Sequence, residues 1–294
     1  MTREFVYSLC SRVFTQPPMQ INRFSTGLDN YVYHVTFSDA DYVFRCGKHS
    51  YENTLHYLTQ LQALEIPVAR IITHGQDQGI FYMITTYLPG QELGEIYPSL
   101  SSVEKQTIAK EVVSIQNRVS ALRLDVSVDW GQWVHSMLKR AKERILANGY
   151  FNPQLVDQLL PLVSELDGYF KSLCPLPYLD DITTKNLLIQ NGHVSGIIDV
   201  DWLECGDCLT FAALTYTSLL NLEYDTYYVQ YLLEELHVSS IQRHAFQFYA
   251  LMYCVDFMGE RGSTFVGRTV PVSDEIITRL NRIYAQLWSQ LPQT

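Results

Sequence analysis

The stretch Tyr178-Leu179-Asp180-Asp181-Ile182-Thr183-Thr184-Lys185-Asn186-Leu187-Leu188-Ile189, followed by Gly196-Ile197-Ile198-Asp199-Val200-Asp201, decides how this chain folds. Asp181 and Asn186 bracket a short loop, Leu187 to Gln190 reads as a strand, Asn191-Gly192 as a turn, and His193 to Ile198 as a return strand ending at Asp199. An Asn-Gly pair between apolar runs signals a hairpin, because both residues tolerate the positive φ that the tight turn needs. A hairpin brings its two ends together. Asn186 and Asp199 are therefore expected side by side, with Asp181 just beyond.

Two carboxylates and an amide at the mouth of one hairpin have the chemistry that phosphoryl transfer requires. A carboxylate must orient and deprotonate the attacking hydroxyl, and hard oxygen ligands must hold Mg²⁺ against the nucleotide phosphates. Asp181 fits the first role, and Asn186 and Asp199 fit the second. Asp180 and Asp201 are rivals. Successive residues of an extended segment point to opposite sides, which separates Asp180 from Asp181 if the loop is extended there. Asp201 shares a side with Asp199 and is a candidate second ligand or hydrogen-bonding support. The base lies five positions before the amide and the metal carboxylate thirteen after it. That order resembles the catalytic loop and metal-binding Asp of the protein kinase-like superfamily.

The whole order of motifs is similar to the aminoglycoside phosphotransferase and choline kinase-like group of small-molecule kinases, over roughly residues 20 to 260. That group carries His-Gly-Asp, four residues, Asn, an Ile-Asp strand end and Gly-Asp. This chain has Leu179-Asp180-Asp181, Asn186, Ile198-Asp199 and Gly206-Asp207, so the His and Gly are replaced. The resemblance implies an α+β, two-lobe protein kinase-like fold. Residues 1–88 would form a nucleotide-binding lobe with a small antiparallel sheet and one helix, and residues 89–294 a mostly helical catalytic and substrate-binding lobe. Asp207 would brace the catalytic loop, and Lys185 is a candidate to neutralise charge on the moving phosphoryl group.

Upstream, Tyr31 to Phe37 and Tyr42 to Arg45 are rich in aromatic and β-branched residues around a polar turn, a hairpin by composition. The family places a Gly-x-x-Asn phosphate loop before such a hairpin, which Gly27 and Asn30 match. It also places a cation at the end of the next strand and a partnering Glu on the helix that follows. Arg45 and Glu52, the latter near the start of an expected helix 50–64, stand at those positions. Lys48 is the rival cation, but alternation puts Arg45 on a strand face while Lys48 lies past Gly47 in a loop. Pro67 to Thr73 and Ile80 to Leu88 read as two further strands. In the family the second ends in a hinge that bonds the purine edge, so Thr86, Tyr87 and Leu88 are the implied contacts with ATP or GTP.

From Ser101-Ser102-Val103-Glu104, a capping-box sequence, the pattern changes to helical spacing. Ile108, Val112, Ile115, Val119 and Leu122 recur every three or four positions. Further helices are expected at about 131–147, 153–172, 209–221, 225–236, 239–259 and 273–290. Aromatic residues around Tyr216, Tyr224, Tyr227, Tyr228 and Tyr231 read as packed core before they read as an acceptor pocket.

At 294 residues and 47% hydrophobic content the chain can bury a large core and divide into two units. It shows no run of eighteen apolar residues and no export signal, which points to a cytoplasmic protein without a membrane partner. Six scattered cysteines fit free thiols better than a disulfide framework, and Cys205-x-x-Cys208 lacks companions for a zinc site. A formal charge of −10 argues against a nucleic-acid partner and weakly favours cationic acceptors, for which Asp225, Asp256 and Glu260 are candidates. The sequence thus points to a Mg²⁺-dependent kinase acting on a small-molecule hydroxyl. The alternative is a non-catalytic nucleotide- or ligand-binding protein on the same scaffold, with Leu179 as its best support.

Overall fold

The computed structural model describes residues 3–24, 31–123, 128–201, 203–265 and 268–291. Helix α1 (Arg3–Val13) leads into strands β1 (Gln20–Arg23), β2 (Tyr31–Thr36) and β3 (Asp41–Gly47), then helix α2 (Glu52–Ala63) and strands β4 (Ile71–Asp77) and β5 (Ile80–Thr86). These five strands form one antiparallel sheet in the order β1-β2-β3-β5-β4. Alternation splits its side chains cleanly. Tyr33, Val35, Phe44 and Ile84 face α1, whose Val6, Leu9 and Cys10 complete a small separate core. Met83 joins the larger core together with Leu58 and Leu61 of α2.

Strand β4 begins four residues later than the expected Pro67 start. Pro67 has no N–H to give a ladder. Its carbonyl instead accepts from Ile197 N at 2.8 Å, and Val68 bridges Ile197 in parallel. The segment after α2 is thereby used to dock the N-terminal sheet onto the hairpin around Asn191-Gly192.

That hairpin is β8 (Leu187–Gln190) and β9 (His193–Ile197), and the two-residue strand β6 (Gln91–Glu92) adds to its edge. Asn191 and Gly192 have φ of 53° and 77°, as the turn chemistry demands. Around it lie helices α3 (Leu93–Ile96), α4 (Ser102–Val119) and α5 (Trp130–Asn148), then the short α6 (Gln154–Asp157), α7 (Leu160–Glu165) and α8 (Asp167–Ser172). The capping box of α4 forms as expected, with Ser101 and Glu104 exchanging hydrogen bonds. The expected single helix over 153–172 is three pieces. Pro161 cannot donate to the preceding turn, so it sits at a helix start and breaks the run.

Strands β7 (Leu176–Tyr178) and β10 (Glu204–Gly206) pair beneath the catalytic loop. Helices α9 (Leu209–Asn221), α10 (Tyr227–Glu235), α11 (Ser240–Glu260) and α12 (Asp274–Ser289) close the helical part, and a minor pair, β11 (Thr264–Phe265) and β12 (Arg268–Thr269), lies between the last two. Residues 248–256 of α11 are all buried, the mark of a central helix surrounded by others, here α5, α9 and α12. Among the described residues no helix is long and apolar enough to cross a membrane.

Gly206 in β10 lies under the Trp130 ring so closely that an added β-carbon would fall inside it. Gly206→Ala is expected to lower stability by about 1–3 kcal/mol through overpacking, read as a drop in denaturation midpoint.

Candidate active site

Asn186 closes the catalytic loop on itself. Its amide Nδ2 donates to the Asp181 carbonyl at 3.0 Å, and its backbone carbonyl accepts from Ile198 N at 2.9 Å. The hairpin therefore holds Asn186 opposite Ile198, next to Asp199, as the register Leu187↔Ile197 requires. Thr183 Oγ1 donates to the Asp181 carboxylate at 3.1 Å. Burial raises the Asp181 pKa above the usual carboxylate range, and the Thr183 and Asn186 hydrogen bonds and the Lys185 charge only partly offset it. The carboxylate remains open to solvent on one side.

Asp199 adopts φ 58°, a left-handed conformation that a short polar side chain tolerates and most residues resist. Its carboxylate is 58% exposed and lies 3.9 Å from Arg45 Nη2. Asn186 Nδ2 is occupied by the Asp181 carbonyl, and its Oδ1 makes no hydrogen bond among the described residues. Asn186 Oδ1 and the Asp199 carboxylate are hard oxygen donors of the kind Mg²⁺ takes. Mg²⁺ needs only one or two protein ligands when phosphates and water complete its shell.

Arg45 projects from β3 as alternation requires, but its acidic partner differs from the expected one. Glu52 is exposed at the start of α2 and forms no ion pair with Arg45. Asp201 takes that place, accepting from Arg45 Nη1 at 2.8 Å and from Nη2 at 2.5 Å. Sequence alternation placed Asp201 beside Asp199. It held no signal that a residue 156 positions earlier would reach it.

Gly27 and Asn30 lie outside the described residues. Of the expected hinge, Thr86 N donates to Arg70 O at 2.9 Å and Tyr87 N to Asp41 O at 3.1 Å. The Tyr87 ring stacks on His34 at 4.4 Å. Leu88 N–H makes no hydrogen bond among the described residues. The Leu88 side chain packs over Gly196, tying this segment to the catalytic hairpin.

Leu179, which replaces the family His, is buried, and its backbone is held on both sides by one side chain. Gln116 Nε2 donates to Leu179 O at 2.7 Å and Gln116 Oε1 accepts from Leu179 N at 2.9 Å. The signal for this was present, since Gln116 falls on the apolar stripe of α4 between Val112 and Val119. Asp207 accepts from Tyr169 OH at 2.6 Å, Tyr249 OH at 2.9 Å and Leu209 N at 3.0 Å, fixing β10 and α9 beneath the loop. Gln116→Ala leaves both Leu179 backbone groups buried and unpaired. It is expected to cost about 1–3 kcal/mol in denaturant unfolding.

Asp180 stands where the family has Gly, and burial, with the nearby charges of Glu204 and Asp181, raises its pKa to about 7. A carboxyl group whose pKa is higher folded than unfolded costs nothing while protonated in both states and destabilises once ionised. The penalty therefore begins above about pH 4, the unfolded value, and is complete above pH 7. Asp180→Asn is expected to melt like the parent at pH 4 and at higher temperature than the parent at pH 8.

Of the acidic candidates for cationic acceptors, Asp225 is engaged elsewhere, bound to Lys105 Nζ at 2.7 Å and Tyr97 OH at 3.1 Å. Asp256 pairs with Arg144 at 3.2 Å, and Glu260 lies 3.9 Å from the same Arg144 atom. Burial raises the pKa of Asp256 and Glu260, with the Arg144 charge partly offsetting it. Tyr224 and Tyr228 pack on Tyr97, as the core reading expected, whereas Tyr227 is 55% exposed and stands outside the core. Burial pushes the Cys208 thiol up to about 12, so it stays protonated and unreactive.

These features define a protein kinase-like fold with a hairpin-anchored loop that carries Asp181 and Asn186. The model of the phosphotransferase enzyme family, APH, matches residues 20–210, and the chain belongs to that family. Solved structures agree on the fold. A thermostable mutant of aminoglycoside phosphotransferase APH(4)-Ia, in complex with ADP and hygromycin B, superposes with a TM-score of 0.70 at 13% identity, covering 99% of each chain. ADP-bound APH(2'')-Ib gives 0.67 at 14% identity over 98% of this chain and 99% of that one. A putative fructosamine-3-kinase from Haemophilus somnus 129PT gives 0.64 at 11% identity over 96% of each. No curated protein sequence matches the chain.

Proposed function

We propose that the protein transfers the γ-phosphoryl group of ATP or GTP to a hydroxyl of a small molecule, with Mg²⁺. The observation that carries this reading is the closure of the loop by Asn186, which binds Asp181 through its amide and sets Asp199 alongside through its backbone. Asp181 would accept a hydrogen bond from the acceptor hydroxyl and take its proton as the new P–O bond forms and the bond from the γ-phosphorus to the bridging oxygen breaks, releasing the nucleoside diphosphate. Lys185, exposed and one residue before Asn186, offsets charge on the transferring group. Asn186 and Asp199 would hold Mg²⁺, which neutralises charge on the phosphates when bound. Residues up to 88 hold the nucleotide, with Arg45 on its phosphates, Leu88 N–H on its base, and Gly27 and Asn30 as phosphate-loop candidates. The residues from 89 onward carry the loop and the acceptor pocket.

The acceptor is a small alcohol, with cationic compounds favoured by the acidic side chains at the end of α11. The relatives bound to hygromycin B and named for fructosamine define the compounds to try first. ADP release should be measured with and without amino-sugars, macrolides, choline and ketosamines. Release that depends on one acceptor and disappears in Asp181→Ala supports the enzyme. Tight nucleotide binding with no turnover on any acceptor contradicts it and favours a binding protein on this scaffold.

A further inference from the structure

We infer that Asp201 is the carboxylate that positions Arg45 for the nucleotide phosphates, in the role the family gives to an acid on the helix after the cation. This rests on the kinase reading above and adds a residue to its machinery. The pair is bidentate, with Nη1 on Oδ1 at 2.8 Å and Nη2 on Oδ2 at 2.5 Å. Both partners are sheltered, with side chains 16% and 22% exposed, so the interaction is less screened than a surface pair. The contact joins the N-terminal sheet to the segment just past the catalytic hairpin.

A planar guanidinium has five N–H donors, and a bidentate carboxylate takes only two. Asp201 can therefore fix the plane and direction of the fork while Nε–H and the remaining Nη–H groups stay available for phosphate oxygens. Tyr51 supports it, with the Arg45 Cζ 5.7 Å from the Tyr51 ring centroid. Asp199 Oδ1 lies 3.9 Å from Nη2, so the guanidinium stands between the carboxylate that holds it and the proposed metal ligand. Without Asp201, the half-buried cation keeps only Asp199 as an acidic neighbour among the described residues, and it turns away from the phosphates. Glu52 cannot do this work from its exposed position.

The test is calorimetric binding of ATP, ADP and adenosine in EDTA, where no metal contributes, to the parent, Asp201→Asn, Asp201→Glu, Arg45→Gln, the Asp201→Asn/Arg45→Gln double variant and Glu52→Gln. Asp201→Asn is expected to weaken ATP about tenfold or more, the worth of a charge-assisted phosphate contact, and to leave adenosine unchanged. The double variant should bind ATP no worse than Arg45→Gln alone, because each change removes the same interaction. Asp201→Glu should recover part of the loss, and Glu52→Gln should stay within about twofold of the parent. Additive losses, or a large loss in Glu52→Gln instead, would overturn the assignment. Metal-free ATP binding unchanged in Asp201→Asn, with loss only when Mg²⁺ is added, would overturn it in favour of a metal-ligand role. A parent protein that binds neither ATP nor adenosine refutes the nucleotide reading itself, and the assignment with it. Parent-like adenosine binding shows that a variant is folded.

Discussion

Asp181→Ala is expected to lower acceptor-dependent turnover by about 10²–10⁴-fold while leaving nucleotide affinity near that of the parent. In the proposed mechanism the carboxylate meets the acceptor hydroxyl and not the nucleotide, so its loss would remove the proton acceptor and the alignment of the attacking oxygen. Burial raises the Asp181 pKa, which gives it more proton affinity than an ordinary surface aspartate. Asp181→Asn is nearly isosteric and should keep the Thr183 contact, so it separates chemistry from folding. A similar loss of kcat in both variants, with unchanged nucleotide KM and unchanged melting, is the expected pattern. A variant with parent-like kcat would remove Asp181 from the mechanism.

Asp199→Asn should have an effect of comparable size with a different signature. Charge neutralisation by a bound cation contributes several kcal/mol to phosphoryl transfer, so loss of the one proposed ligand that carries full charge is expected to cost roughly 10³-fold in kcat. The requirement for Mg²⁺ should rise, and the softer-demanding Mn²⁺ should restore more activity than added Mg²⁺ does. Asp199 occupies a left-handed backbone position at φ 58°, which Asn tolerates about as well. The backbone is therefore not the source of any defect. Kinetics titrated with each metal, beside thermal melts, check this. An unchanged metal requirement would place the cation elsewhere.

The contrast between Arg45 and Glu52 shows what the sequence could and could not convey. Spacing and an Asn-Gly turn locate Asp181, Asn186 and Asp199, because a hairpin fixes its own ends through local geometry. Strand alternation likewise points Arg45 across the sheet from Phe44. The partner of Arg45 depends on how the N-terminal sheet sits on the catalytic hairpin, a long-range arrangement set by the Pro67 and Val68 contacts with Ile197. No local pattern encodes that. Helix α1 was legible in principle, because Val6, Leu9, Cys10 and Val13 fall at helical spacing and pack on one core. The broken helix over 153–172 was legible in principle from Pro161, but its apolar periodicity runs on across the break.

Leu179 is the clearest departure from the family pattern, and the structure supplies a physical account of it. Its side chain packs into the core, while Gln116 holds its backbone from α4. The loop is therefore anchored through main-chain atoms, which any residue at position 179 provides. What position 179 changes is packing, and the carboxylate and amide that follow it keep their hydrogen bonds.

The central claim is that Asp181, Asn186 and Asp199 meet around one nucleotide and one cation. A crystal structure with a non-hydrolysable nucleotide and Mg²⁺ tests it most directly. The account predicts a metal about 2.0–2.1 Å from Asn186 Oδ1 and an Asp199 oxygen, with the γ-phosphate facing Asp181. A metal held by other side chains, or a γ-phosphate turned away from Asp181, would contradict it.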